Sequence, residues 1–439
     1  MKRVNIAHRK NERGITIVLV AFSLLSLLGM AALAIDVSTL YVAHGEAQRA
    51  ADAAALAGAR MFASSGYTTA STVLAAGDIC QTSATPGADA AANRQAEAVA
   101  AQNLVAGQPA AVQSINCIVT AANPQISVTV QRTGLPTFFG RIWGGAANSV
   151  TATAVAEAYN PSGSTSPIQM QGVKPWLIPN CDPTNGGPGD CAIGGSFVDN
   201  TTGAIQNNGL FVGKTITLTP ATLGTAPTTS PGPPTPTLNY YASNIPITPP
   251  PVCPSTSAVG CSQVGIDDYY DNIACSSTAQ FTCGQQVGPG QAVTIDTDPT
   301  VNPRTDQATQ CRIHAGGPGL NRDQDVLSPT PPGVPPITIQ GGNNNPNPAL
   351  QGATNISRSD SIVTVPIYHL VGGPNLCPSG CNQIGTIVGF LQLGIQSAAA
   401  PPGNVEGVIM NVAGCNSGAG GTPISGGGVS PIPVRLIHQ

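Results

Sequence analysis

Two adjoining stretches decide the fold: Ile15–Ile35, ITIVLVAFSLLSLLGMAALAI, and Asp36–Phe62, DVSTLYVAHGEAQRAADAAALAGARMF. The first holds 21 residues without a charge, interrupted only by Thr16, Ser23, Ser26 and Gly29. A helix of that length spans roughly 30 Å, the thickness of a bilayer's hydrocarbon core. Residues 1–14 ahead of it carry Lys2, Arg3, Arg9, Lys10 and Arg13 against a single acid, Glu12. Such a basic flank stays cytoplasmic and sends everything after Asp36 outward. We therefore expect a cytoplasmic segment at 1–14 and a retained single-pass anchor in the lipid bilayer at 15–35. Ala32-Leu33-Ala34 offers the alternative of a signal peptide cut after Ala34, but the apolar run exceeds the roughly 7–15 residues of such a core. No cysteine precedes Cys80, so a lipoprotein is not expected.

Past Asp36 the pattern remains helical. Leu40, Ala43, Ala47, Ala50, Ala54 and Ala57 recur at three and four, giving one face of small apolar residues. Such a face lets another helix or a sheet approach closely. Packing within its own domain and self-association with another copy both use it, and no GxxxG motif selects the second.

The rest of the chain divides by composition. Of 439 residues, 51 are Gly and 40 are Pro, yet residues 1–160 hold only four of the prolines and two of the 12 cysteines. Alanine is the best helix former and proline the worst, so the first part can hold long helices and the second almost none. Asn160-Pro161-Ser162-Gly163-Ser164 reads as the linker, giving a membrane-proximal module at 36–160 and an exported domain at 161–439. A net charge of −4 with 9% charged residues leaves no basic stripe, so no nucleic-acid partner is expected.

Residues 89–107 form a second alanine-rich helix, with Asp89 as N-cap and Gly107 and Pro109 as the stop. Val112–Val119, Ile126–Val130 and Val150–Ala156 are strand candidates, the last two alternating with period two. Leu135–Trp143, LPTFFGRIW, is an apolar patch expected to dock a short helix on the sheet. The fold class is thus α+β: a transmembrane helix running on into a long Ala-rich helix capped by a small antiparallel sheet.

Beyond residue 160, strand signals recur at Leu210–Leu218, Ala292–Ile295, Ile337–Gln340, Ile362–Val371, Ile384–Gln396 and Val405–Val412. They suit a β-sandwich or an irregular, loop-rich β domain. Thr225–Pro236 and Asn343–Pro348 should be exposed loops or polyproline II. All 12 cysteines follow the anchor and would meet an oxidising compartment. Cys80 and Cys117 lie in the inner module. Local spacing suggests Cys181–Cys191, Cys253–Cys261, Cys275–Cys283 and Cys377–Cys381 as loop staples, leaving Cys311–Cys415 as a long-range pair. Zinc is the competing reading, but there is no CxxC, and connectivity cannot be deduced from spacing.

The segment from Arg13-Gly14 through Leu27–Ala59 resembles the N-terminus of TadG-like (TadE/TadG-type) proteins of Flp, or tight-adherence, pilus assembly in bacteria. The resemblance rests on an apolar span ending in Ala-Ile-Asp36, on Tyr41, and on the block Gln48, Ala50, Ala51, Asp52, Ala53, Ala54, Ala55, Leu56, Ala57, Gly58. Weaker likeness continues at Thr137–Gly140 and Val150–Ala158, then at Val173–Pro179, Ile362–Pro366 and Ile387–Gln392. It implies a pseudopilin-like, non-enzymatic component at the inner membrane, with a periplasmic or extracellular bulk and with pseudopilins or other Tad assembly proteins as partners. Two departures stand out. Gly14 suits prepilin-type processing, but Leu19 lies where a Glu is usual. Asp36-Val37-Ser38 approaches the metal motif of larger TadG members, but Leu40 replaces its second serine, so no metal site is expected.

No GxSxG, HExxH, P-loop or dinucleotide-binding motif occurs. His8, His44, His314, His369 and His438 are scattered without acid partners at useful spacing. Asp267, Asp268 and Asp271, and Asn321, Asp323 and Asp325, read as solvated loop acids. In the second group Val326 stands where a calcium loop needs Gly. Neither an enzyme nor a cofactor is expected. A surface adhesin or ligand-binding module carried on the same anchor is the alternative to an assembly component.

Overall fold

The computed structural model describes residues 12–437 apart from 71–75, 121–122, 138–146, 186–194, 231–234, 246, 248–252, 254–260, 263, 266, 276–278, 299–300, 330–336, 355, 357, 374, 400–402, 417–419 and 426–429. Anchor and Ala-rich segment are one helix, α1 (Glu12–Ser64), 53 residues long. No proline interrupts it. Its hydroxyls turn back on the backbone, Ser23 Oγ donating to Val20 O at 2.9 Å and Ser26 Oγ to Phe22 O at 2.8 Å. Among the described residues it is the one helix long and apolar enough to cross a membrane.

The helix rests on a small sheet and a second helix. Strands β1 (Ala111–Ile118), β2 (Gln125–Leu135) and β3 (Asn148–Ala158) pair antiparallel in that order. Ile126, Val128 and Val130 turn inward while their neighbours stay partly exposed, as a half-buried strand requires. Helix α2 (Ala91–Gln102) covers the seam with Ala92, Ala96 and Ala100. It is shorter than the 89–107 expected. Ala90, not Asp89, is its N-cap, and Asn103 is already extended. The chain then makes a tight hairpin, Leu104–Val105 against Gln108–Pro109, through Ala106 and Gly107 at positive φ. Most of the helix expected at Leu135–Trp143 lies outside the described residues.

The Pro/Gly-rich part holds a closed barrel, not a sandwich. Its strands are β4 (Trp176–Pro179), β5 (Thr215–Pro220), β6 (Thr237–Asn244), β7 (Ile362–His369), β8 (Gly385–Ala399) and β9 (Asn404–Gly414). Hydrogen bonding runs β8–β7–β4–β6–β5–β9 and returns from β9 to β8. The β7/β4 and β6/β5 pairs are parallel and the others antiparallel. One alternating set, including Ile178, Ile216, Leu238, Val365, Leu393 and Ile409, merges into a single buried cluster, as the interior of a closed sheet must. Two helices not expected in this region, α3 (Asp268–Ala274) and α4 (Val301–Arg312), pack on that cluster. Asp267 starts α3 by accepting from the amides of Tyr269 and Tyr270. The strand expected from Leu210 begins only at Thr215, because Asn207–Gly209 forms a 3₁₀ turn before it. Within the loop expected at Thr225–Pro236, Thr229–Ser230 pairs with β6.

The chain's final strand, β10 (Val434–Ile437), returns to the inner sheet and pairs with β3, making its order β10–β3–β2–β1. Arg435 Nη2 lies 2.6 Å from Glu157 Oε1, a carboxylate only 5% exposed. Asn160 is no solvated linker residue: its side chain is buried and donates to Thr68 O at 3.2 Å and to Val412 O at 3.1 Å.

The bridges described are Cys80–Cys117, Cys253–Cys275, Cys261–Cys311, Cys283–Cys415 and Cys377–Cys381. Of the local staples, Cys377–Cys381 forms as expected, whereas Cys253–Cys261 and Cys275–Cys283 do not, and neither does the long-range pair Cys311–Cys415. The cause is the unforeseen helix pair. Cys275 ends α3 and Cys311 lies in α4, so each draws a partner from the preceding loop. Cys181 is also disulfide-bonded, and Cys191 lies outside the described residues.

Candidate functional site

Along α1 the surface changes character. Large apolar side chains from Ile15 to Val42 point outward, between 47% and 81% exposed. None of the described residues covers them, and lipid is the solvent that suits them. From Ala43 onward the helix is seated. Ala43, Ala47, Ala50 and Ala54 are buried, and so is a second line, Ala51, Ala55 and Ala59. Two lines are needed because β2 and β3 approach on one side and α2 on the other. Leu40 and Ala57 are only half-buried. The alanine face is therefore packed within the chain, the first of the two uses expected for it.

This geometry explains the block Gln48–Gly58. Gln48 Nε2 donates to Asp52 Oδ1 at 2.8 Å and to Thr153 O of β3 at 3.3 Å, pinning the helix to the sheet edge. Ala51 and Ala55 are fully buried. At Gly58 a Cβ would lie 2.6 Å from Ile126 Cδ1 and 3.3 Å from the Ala92 carbonyl oxygen, so only glycine admits this approach without a shift. Leu56 faces a cavity beyond the sheet. Asp36 is buried at the border between the two surfaces, whereas Tyr41 is 81% exposed. Lys2, Arg3, Arg9 and Lys10 lie outside the described residues, and of Arg13 only the backbone, in α1, is described.

The end of α1 is tied to the barrel by buried polar contacts. Asn411 of β9 donates to Ala63 O and, at 2.9 Å, to Gln392 Oε1. Thr69 Oγ1 takes the Val412 amide at 3.2 Å. Buried groups of this kind are costly to leave unmade, so the network fixes one arrangement. No sequence pattern announced it, because its members lie some 340 residues apart in the chain.

Several acids expected in solvent are instead structural. Asp271 is buried, which pushes its carboxyl up, and it accepts from Gly265 N at 3.0 Å. Arg304 contacts Asp267, Asp296 and Asp298. Asp325 is buried and accepts from Gly342 N at 2.8 Å, Asn345 Nδ2 and Ser359 Oγ. His314 does have an acid partner: its Nε2 lies 2.9 Å from Asp360 Oδ2. That contact first, and Arg312 at 3.8 Å after it, hold the Asp360 carboxyl below its ordinary value. Behind them Lys174 is fully buried, donating to Asn272 O at 2.9 Å and Cys275 O at 2.7 Å, and burial pushes its ammonium well down. Cys253, Asp271 and Cys275 come close enough to hold a metal, but the two sulfurs are bonded to each other and offer no thiolates.

A long apolar helix leads into a disulfide-bonded folded part, and that helix suggests membrane anchoring. Residues 14–61 match the Tad family, Flp pilus-assembly TadE/G-like, so the N-terminal segment is TadG-like. That match ends within α1, three residues short of its C-terminus, and suggests involvement in Flp pilus assembly, a family typically non-enzymatic. No curated protein and no solved structure matches the chain.

Proposed function

We propose that this chain is a non-enzymatic structural component of Flp/Tad-type pilus assembly or secretion. It is held in the inner membrane by residues 15–35, with residues 1–14 cytoplasmic and the rest periplasmic or extracellular. The observation carrying this reading is the continuity of α1: the TadG-like match covers both its lipid-facing half and the half seated on the sheet. A rod rigidly joined to a folded head suits a part that transmits position through an assembly. The membrane-proximal module is read as residues 36–160 completed by β10, and the barrel with its loops as the remainder of 161–439. The buried contacts of Asn411 and Asn160 favour one working unit over an adhesin cargo on a detachable anchor.

Partner proteins, pseudopilins or other Tad components, have the exposed stretch up to Val42 available, and self-association is assigned there too. A photo-crosslinking residue at Tyr41, which is 81% exposed, tests this. Adducts with Tad components or a second copy support the reading. Adducts with lipid alone would sink it. N-terminal sequencing of the mature chain distinguishes retention from cleavage after Gly14 or Ala34.

A further inference from the structure

Between α1, the segment around Asn345–Ile362 and the approach to β10 lies a cavity of about 700 Å³. That is the size of a small-molecule site. Its apolar walls come from Leu56, Ile362 and Ile432, and its polar lining from Asn345, Asn347 and Gln392. Three arginines line it, Arg60, Arg312 and Arg358, against one acid, Asp360. Asp360 is already engaged by Arg312 at 3.8 Å and His314 at 2.9 Å. Arg60 and Arg358 have no carboxylate partner among the described residues. Partial burial first, and the Arg358 charge after it, lower the pKa of Arg60. Two unneutralised guanidiniums beside a partly apolar hollow set up a positive potential that an anion would relieve.

We infer that this cavity binds a soluble ligand through an oxyanion group, carboxylate or phosphate, held between Arg60 and Arg358. The guanidinium fork matches either group in bidentate geometry, which a lysine would not. A lipid headgroup of the anchoring membrane does not reach it. Arg60 stands on the same continuous helix as Ile35, roughly 38 Å further along at ~1.5 Å per residue. The walls are drawn from α1, a loop beside the barrel and the chain's C-terminal segment together, so the site exists only in the whole folded chain.

Calorimetric titration of the detergent-solubilised full chain tests this, with citrate and inorganic phosphate as probes at constant ionic strength and chloride as control. Saturable binding of citrate alone assigns a carboxylate ligand, and tighter binding of phosphate assigns a phosphate. Either affinity should fall about tenfold or more in Arg358→Gln and again in Arg60→Gln, the loss of one charge-assisted contact each. Arg358→Lys should recover only part of it. Both side chains are solvent-accessible, and an unchanged thermal midpoint without ligand confirms the fold of each variant. Binding no stronger than chloride, or Arg60→Gln and Arg358→Gln variants that bind like the parent, would overturn the proposal.

Discussion

Replacing Gly58 by alanine should reveal how closely α1 is seated, because two opposing effects meet there. In a helix, Gly→Ala gains roughly 1 kcal/mol from backbone entropy alone. Gly45, on the same helix with nothing within 4 Å of a Cβ, should show that gain undiluted. At Gly58 the new methyl would sit 2.6 Å from Ile126 Cδ1 and 3.3 Å from the backbone oxygen of Ala92. Ile126 is fully buried and Ala92 belongs to α2, so neither retreats without moving the core. Overpacking of this kind costs about 1–3 kcal/mol. The expected net effect runs from neutral to about 2 kcal/mol destabilising, and Gly45→Ala should exceed Gly58→Ala by about 1–3 kcal/mol. Ile126→Val removes the obstructing Cδ1 and alone should cost about 1 kcal/mol. Combined with Gly58→Ala it should cost less than the sum, with a coupling of about 0.5–2 kcal/mol. Pulse proteolysis of the detergent-solubilised chain across a urea series reads all four proteins. If the two glycine variants stabilise equally, α1 does not lie against β2 and α2 as described.

Other expectations follow from single contacts. Burial pushes Asp306 up to about 6, partly offset by the amide of Gly403 at 2.8 Å. Between the unfolded value near ~3.9 and about 6 the native chain keeps a proton the unfolded chain has lost, so stability falls as pH rises through that window. Asp306→Asn should flatten that slope and stabilise at pH 7 by roughly 1–2 kcal/mol, discounted for a half-exposed side chain; an unchanged urea midpoint-versus-pH curve would contradict it. Among the bridges, Cys283–Cys415 closes the longest loop, with a separation of 132, and Cys377–Cys381 one of 4. In the chain-entropy account their removal should cost about 5 and about 2 kcal/mol respectively, measured as urea midpoints of the paired Ser variants. Arg435→Gln should leave Glu157, which is 5% exposed, without its cation. That should free β10 from the sheet edge at a cost of about 1–3 kcal/mol, visible as faster amide exchange at Val434–Ile437 and in β3.

What the sequence revealed was local, and what it hid was not. The apolar run, the alanine stripe and the alternation in Ile126–Val130 and Val150–Ala156 are periodic signals, and each falls within an element of the structure. Barrel closure joins β9 to β5 and β7 to β4 across long separations, and no window of residues contains that information. Leu238-Asn239-Tyr240-Tyr241 lies in β6 but gives little strand signal, because the proline-rich stretches on either side of it read as loops. Val434–Ile437 is too short to signal anything, yet it completes the inner sheet. Cysteine pairing failed where nearest neighbours in sequence were separated by a helix, and the acids of 267–271 failed because capping and burial depend on what packs against them. The Gln48–Gly58 block was legible as a pattern, but the reason for its composition required the positions of Thr153 and Ile126.

The two halves of α1 demand opposite side chains, and this bears on how the anchor could act on the head. Lipid favours large residues such as Leu27 and Phe22, while the close seating on β2, β3 and α2 from Ala43 to Ala59 is made mainly by alanine and glycine. The change falls between Asp36 and Ala43, with no proline or other break in the helix. A kink there would have decoupled the apolar half from the seated half; an unbroken helix makes any tilt of the one a tilt of the small sheet. The contacts of Asn411 with Ala63 and of Thr69 with Val412 then carry that tilt into the barrel. The direction of the barrel relative to α1 is therefore set at both junctions, one by methyl-sized packing and one by buried hydrogen bonds. Loosening either should leave the chain folded while releasing the barrel from the anchor's direction.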